Sequence, residues 1–168
     1  MKISAKAIKL GDDINTDFII SGRYKFSITD IKELSKHLME DIDPEFTSKI
    51  DRNSTVIVAG KNFGLGSSRE QAPLVIKEAG INAVLAKDFA RIFYRNAFNI
   101  GLPLIEVDTD RIADKDRLEI DLNKGLLKNT TNNTEMNFKP VPKFMREILK
   151  EGGIIGYYKK HARLPDVH

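Results

Sequence analysis

The sequence predicts an α/β fold: a parallel-sheet core with a small antiparallel meander. Three observations carry this. From residue 54 to residue 107, apolar runs alternate with amphipathic segments as β-α-β-α-β, the pattern of parallel strands joined by right-handed crossovers. From 118 to 139 the runs shorten and Asn, Gly and Thr turns separate them, which suits hairpins. The 168 residues are enough to fill one core and too few for two comfortable ones, so residues 1–168 are expected to form one domain.

Residues 2–9 alternate apolar and polar, the mark of a half-buried strand. Gly11-Asp-Asp-Ile-Asn-Thr-Asp17 follows as a polar, turn-rich loop. Residues 30–41 read as a helix with Ile31, Leu34, Leu38 and Met39 on one face. Thr29 or Asp30 caps it, and Asp43-Pro44 ends it. Residues 54–59 form a buried strand, a glycine-rich loop comes next, and a helix covers roughly 71–79 before Gly80. Residues 82–86 are a short apolar strand. Asp88 caps a helix whose inner face holds Phe89, Ile92, Phe93, Ala97 and Ile100, and Gly101 stops it. Residues 102–107 are the next strand. The meander runs through 118–122, 125–129 and 135–139. A last helix over 141–150 turns Phe144, Met145, Ile148 and Leu149 inward. Gly152-Gly153 breaks it, and 154–158 is expected to return as a strand. The polar tail from Lys159 is expected to fray or to dock on a partner.

The 27 basic and 24 acidic residues are interspersed, so a net charge of +3 and a pI near 9.0 give no blocked basic surface for nucleic acid. There is no cysteine, hence no disulfide and no thiolate for zinc or an iron–sulfur cluster. A cytoplasmic setting fits. No apolar run nears the ~20 residues of a membrane span. The start, Met1 to Leu10, is broken by lysines and lacks a signal-peptide core. The sequons at Asn129 and Asn132 are therefore read as chance matches.

The glycine-rich loop, Gly60-Lys-Asn-Phe-Gly-Leu-Gly-Ser-Ser-Arg-Glu-Gln-Ala72, carries the richest chemistry. Glycines at a strand end let backbone approach a ligand closely, and two hydroxyls and a guanidinium follow, which suits a small anion. It is not a dinucleotide fingerprint, because Arg69 stands where the third glycine would fall. It is not a P-loop, because no Gly-Lys-Ser/Thr closes it. Two readings of Ser67 stay open. Ser67 and Glu70 have capping-box spacing. Pro73 instead favours a helix starting near Gln71 or Ala72, which leaves Ser67, Ser68 and Arg69 free to face a ligand. Arg69 can grip a carboxylate bidentately, as lysine cannot.

Asp13-x-Asn15-x-Asp17 opens like a calcium loop but fails at Phe18 and Tyr24, where glycine and glutamate are required, so it reads as an Asx-type turn. His37, His161 and His168 show no ligand spacing, and His37 is expected on an exposed helix face. Arg91 and Arg95 lie one turn apart and read as a solvated face.

Five segments agree in order and spacing with one family. They are 13–20 (Asp-Ile-Asn-Thr-Asp-Phe-Ile-Ile), 37–46, 64–72, 87–96 (Lys-Asp-Phe-Ala-Arg-Ile-Phe-Tyr-Arg-Asn) and 99–103. Over roughly residues 3–158 the chain resembles the swivelling domain of the aconitase superfamily. Its free-standing length is similar to the small subunits of the isopropylmalate dehydratase and homoaconitase type. The resemblance implies a swivelling β/β/α domain. It also implies a hydro-lyase active only with a large subunit, which holds a 4Fe–4S cluster through its own cysteines; this chain binds none. A heterotetramer or larger assembly is allowed. By the same resemblance Ser67 is the base that takes a proton beside a substrate carboxylate. Ser68 and Arg69 bind carboxylate, and Asp17 helps organise the site.

The segment thought to select substrate in this family reads Ile19-Ile-Ser-Gly-Arg-Tyr-Lys-Phe-Ser27, against the usual Ile-Ile-Pro-Gly-Arg/Lys-Tyr-Leu. Tyr24, Lys25, Phe26 and Ser27 are therefore expected to meet substrate. Homoaconitase-like chains tend to carry arginine where Phe26 stands. Phe26 can cover an alkyl group but cannot pair with a third carboxylate, and an unpaired buried carboxylate is costly. The expectation is a small dicarboxylate, isopropylmalate, and a place in leucine biosynthesis. Lys25 keeps a tricarboxylate open, and a dimethylmalate- or citraconate-type substrate is a further alternative. A stand-alone anion- or RNA-binding module is the reading from another class, and steep salt dependence would mark it.

Overall fold

A computed structural model describes residues 1–24 and 27–165. Strands β1 (Lys2–Lys9), β2 (Thr55–Val58), β3 (Ile81–Ala86) and β4 (Leu104–Glu106) are parallel and lie in the order β4-β3-β2-β1. Every residue of β2 is buried, as expected for a strand covered on both faces. Strands β5 (Arg117–Asp121), β6 (Leu126–Asn129) and β7 (Thr134–Asn137) form the meander. It joins the core directly, because β5 pairs antiparallel with the free edge of β1 and makes one seven-stranded sheet. The register explains the join. Ile3 faces Ile120 and Ala5 faces Leu118, so the two apolar faces coincide.

Helices α1 (Thr16–Ile19) and α2 (Ile31–Ser35) lie between β1 and β2, α3 (Gln71–Glu78) between β2 and β3, and α4 (Arg91–Asn99) between β3 and β4. Their apolar residues (Leu34, Val75, Ile76, Phe93, Ala97) pack on the sheet face carrying Ile57, Val84 and Ala86. The opposite face, with Val56, Val58 and Leu85, forms a second core with Ile3, Leu118, Ile120 and Leu127. Helices α5 (Lys143–Lys150) and α6 (Ile154–His161) close the described chain.

Five expectations need correction. The helix expected over 30–41 ends at Ser35. Asp30 caps it, accepting from the Lys32 and Glu33 amides at 2.7 and 3.1 Å. Met39 adopts φ 57°, which no helix continues, and its amide donates to Ile19 O at 3.0 Å; turns bury Leu38 and Met39 instead. Asp88 does not cap α4, which starts after Ala90, because its acceptors serve the glycine loop. Ile92 faces outward, 47% exposed. Residues 154–158 belong to helix α6, not a strand. The short apolar run suited either structure, and the spacing of Ile154 and buried Tyr157 is helical. Lys159, Lys160 and His161 sit in its last turn, where the helix dipole favours positive charge. On α5, Ile148 and Leu149 are buried, whereas Phe144 and Met145 are only partly covered.

Asn129 is 1% exposed and donates to Asp116 Oδ2 at 2.6 Å, so its sequon has no room for a glycan. Among the described residues no helix is long and apolar enough to cross a membrane.

Candidate active site

The carboxyl ends of β1, β2 and β3 converge, and ligands bind at such ends in open α/β sheets. The glycine loop leaving β2 is stitched to both neighbours. On one side Gly64 N donates to Ile14 O at 2.7 Å and Thr16 N to Leu65 O at 2.9 Å. On the other, Asn62 N donates to Asp88 Oδ1 at 2.7 Å and Ala90 N to Phe63 O at 2.9 Å. Phe63, fully buried, anchors the loop edge-to-face on Phe89 and Phe93. Every exit of the loop is thus fixed by segments remote in sequence.

Gly64 has φ +80°, and a Cβ there would lie 2.6 Å from Phe93 Cβ. Gly64→Ala is expected to destabilise the chain by about 2–5 kcal/mol, strain and overpacking combined. A thermal unfolding scan checks this, with a fall in Tm of about 5–15 °C.

Past the glycines the chain presents Ser67 and Ser68 exposed, with Arg69 partly covered. Helix α3 begins only at Gln71, with Pro73 in its first turn, and makes no side-chain cap. The capping-box reading of Ser67 is thereby overturned. Thr16 Oγ1 instead donates to the Ser67 carbonyl at 2.8 Å, which fixes the backbone and leaves the hydroxyl without a partner among the described residues. Arg69 forms an ion pair with Asp17 and donates from Nη1 to Ile20 O at 2.9 Å. Asp17 is aimed by α1, whose N-cap Asn15 accepts from Phe18 N at 2.9 Å, so the Asx-type turn expected here is the device that starts this helix. Gly22 packs beside the pair, and a Cβ on it would sit 3.3 Å from Arg69 Nη2.

A cleft of about 340 Å³ opens over these residues. Its polar lining is Thr16, Ser67, Ser68, Arg69, Arg91 and Asn96; Ile92 and Phe93 supply apolar wall. A larger hollow of about 570 Å³ lies beside Lys9 and Lys49. Two of its lysines are engaged: Lys49 pairs with Asp43, and Lys9 Nζ donates to Ile112 O at 2.8 Å. Burial lowers the Lys9 pKa.

Four of the expected site residues therefore gather. Ser67, Ser68 and Arg69 line the cleft, and Asp17 reaches it through Arg69. Tyr24 points elsewhere. Its hydroxyl donates to Glu40 Oε1 at 2.8 Å and its ring stacks on His37, centroids 4.0 Å apart. His37, expected exposed, is half-covered there and also bonds Glu40. Arg23 completes the cluster with Glu40 and Asp41. The bonds from His37 and Tyr24 hold the Glu40 carboxyl below its ordinary range, and the bond to Glu40 pushes the Tyr24 phenol up. For Glu40, that stabilisation is present above the ordinary carboxylate pKa and is lost as pH falls through the lowered one. Ser27 turns back on Tyr24, its amide donating to the Tyr24 carbonyl at 3.2 Å. Lys25 and Phe26 lie outside the described residues.

The model of the Aconitase C-terminal domain matches residues 25–110. A relative named 3-isopropylmalate dehydratase small subunit 2, from Archaeoglobus fulgidus, is 56% identical over 162 residues, 96% of this chain and 98% of that one. The chain belongs to the aconitase-type family of 3-isopropylmalate dehydratase small subunits. Another small subunit of this family, from Thermotoga maritima, is 52% identical over 98% of this chain and 99% of its own. A crystal structure titled 3-isopropylmalate dehydratase, from Methanocaldococcus jannaschii, superposes with TM-score 0.90 at 49% identity, covering 96% of each chain. The swivelling-type α/β fold expected of the small-subunit family is therefore the one adopted.

The sequence does not single out Thr16 or Asn96 as site residues, and the spacing of Arg91 and Arg95 predicts a solvated face. All three lie in the segments 13–20 and 87–96 that carry the family resemblance, but no charge pattern or spacing marks them as site residues. Thr16 matters because a buried hydroxyl finds a carbonyl fifty-one residues away, and Arg91 and Asn96 reach the cleft only because α4 starts beside the glycine loop.

Proposed function

We propose that this chain is the small subunit of a hydro-lyase that interconverts 2-isopropylmalate and 3-isopropylmalate by dehydration and rehydration, in leucine biosynthesis and in the cytoplasm. The observation that carries the proposal is one cleft shared by a serine hydroxyl with no partner among the described residues and an arginine preset for a carboxylate. The names of the relatives support the substrate.

Ser67 Oγ, as alkoxide, takes the proton from the carbon next to a carboxylate. The electron pair left behind becomes the C=C bond as the hydroxyl on the neighbouring carbon departs from the partner's side. Adding water back with the opposite regiochemistry gives the isomer. Arg69 holds the carboxylate and lowers the cost of the Ser67 anion through its charge. Asp17 and the Ile20 carbonyl keep its planar guanidinium aimed. A 4Fe–4S cluster belongs to the large subunit in this scheme, where it supplies Lewis-acid chemistry. With no cysteine, this chain supplies no thiolate ligand to it.

The chain alone is expected to be inactive, and to convert isopropylmalate after anaerobic mixing with its large subunit. A complex that turns over homoaconitate but not isopropylmalate would sink the substrate assignment. Phe26→Arg is expected to shift the ratio of kcat/KM values toward the tricarboxylate by about tenfold or more, since it pairs a charge otherwise left unmatched. Side-by-side assays of the two substrates read this directly.

A further inference from the structure

We propose that Glu40 is a positioning residue of the cleft: it holds the turn on which the Arg69 guanidinium rests. The inference depends on the reading of the Ser67 cleft as the substrate site. Two supports of Arg69 come from one short segment. Its Nη1 donates to the Ile20 carbonyl at 2.9 Å, and Gly22 lies beside its Nη2 and the Asp17 carboxylate. The segment ends in a single 3₁₀ turn, Gly22–Tyr24, closed by Tyr24 N donating to Ser21 O at 3.2 Å. One such turn is too short to hold its own shape, so the contacts at its ends must set it.

Residues 39 and 40 make those contacts. Met39 N donates to Ile19 O at 3.0 Å, just before the segment. At its far end Glu40 Oε1 accepts from the Tyr24 hydroxyl at 2.8 Å and from Arg23 Nη2 at 3.3 Å, and Oε2 bonds to His37 Nδ1. Glu40 is placed in turn by Met39, whose side chain is fully buried and whose carbonyl accepts from the Ile42 and Asp43 amides at 2.9 Å. The stretch 19–24 is thus clasped at both ends by adjacent residues, and the supports of Arg69 lie between. For stability the clasp is worth little. The Glu40 and Arg23 side chains are 30% and 55% exposed, and such ion pairs contribute about 0–1 kcal/mol. Its effect falls on geometry, where a displacement of about 1 Å in a ligand-gripping group is costly.

The test is steady-state kinetics of the complex, saturated with large subunit, beside a double-mutant cycle with Arg69. Tyr24→Phe removes only the hydroxyl, and Glu40→Ala removes the whole clasp. Both are expected to raise KM for isopropylmalate about three- to thirtyfold, with kcat changed less. Glu40→Gln keeps an acceptor for Tyr24 and should recover part of the loss. Glu33→Ala, at the exposed Lys36 pair on α2, should leave both constants near wild type. In an Arg69→Ala background, Glu40→Ala should change kcat/KM by less than about twofold, because no guanidinium remains to be aimed. Normal KM in Glu40→Ala and Tyr24→Phe, with or without a fall in Tm, overturns the inference. So does an undiminished effect in the Arg69→Ala background, which would mean that Glu40 acts by another route. If Glu40→Ala fails to fold by circular dichroism, Tyr24→Phe carries the same cycle. Ser67→Ala run in parallel separates the two levels. Normal turnover there overturns the cleft itself, whereas a dead Ser67→Ala with normal KM in Glu40→Ala and Tyr24→Phe overturns only the role of Glu40.

Discussion

Ser67→Ala is expected to lower kcat of the assembled enzyme by about 10²–10⁴-fold, the range lost with a positioned acid–base group. The stability of the chain should barely change, within about 0.5 kcal/mol, as for exposed positions without special contacts. The structure separates the two effects cleanly. What Ser67 contributes to the fold is its carbonyl, which accepts from Thr16 Oγ1, and alanine keeps that carbonyl. What it contributes to the cleft is the hydroxyl, and alanine removes it. Turnover in both directions, measured anaerobically beside a thermal unfolding scan, reads both quantities. Normal turnover would show that another group takes the proton.

Thr16→Val is the informative companion, because it leaves the Ser67 hydroxyl and removes its backbone tether. If placement of the hydroxyl matters as proposed, the two variants should not be additive, since they act on one group.

The parts of this architecture that were legible in the sequence are those decided locally. Strand β2 is a continuous apolar run bounded by Ser54 and Gly60, and the start of α3 is betrayed by Pro73, tolerated only in a first turn. The parts that were not legible are decided by contacts across the chain. Asp88 looks like a helix cap until the glycine loop claims its carboxylate and carbonyl; α4 then begins at Arg91, and Ile92 rotates out of the core. The same shift brings Arg91 to the cleft. Tyr24 is a similar case. By its place in the segment expected to select substrate it reads as a substrate contact, yet Glu40 and His37, from the turns that follow α2, hold it.

Arg69→Lys is expected to be nearly as damaging as Arg69→Ala, although it keeps the positive charge. The guanidinium spans three tasks from one plane: the ion pair with Asp17, the bond from Nη1 to Ile20 O, and the face left toward the cleft. An ammonium is a single compact donor and cannot bridge Asp17 and Ile20 while presenting a second edge to substrate. KM should rise by about tenfold or more, with kcat falling as the Ser67 anion loses a rigid neighbour. Arg69 is only 14% exposed at its side chain, against 56% for Asp17, so the arginine is the member that the fold holds. Asp17→Asn should therefore cost less than either arginine change. In a double-mutant cycle the two sites should couple by about 0.5–3 kcal/mol, as residues in one network do. Additive effects would mean that Asp17 acts on substrate or partner directly, and not by aiming Arg69.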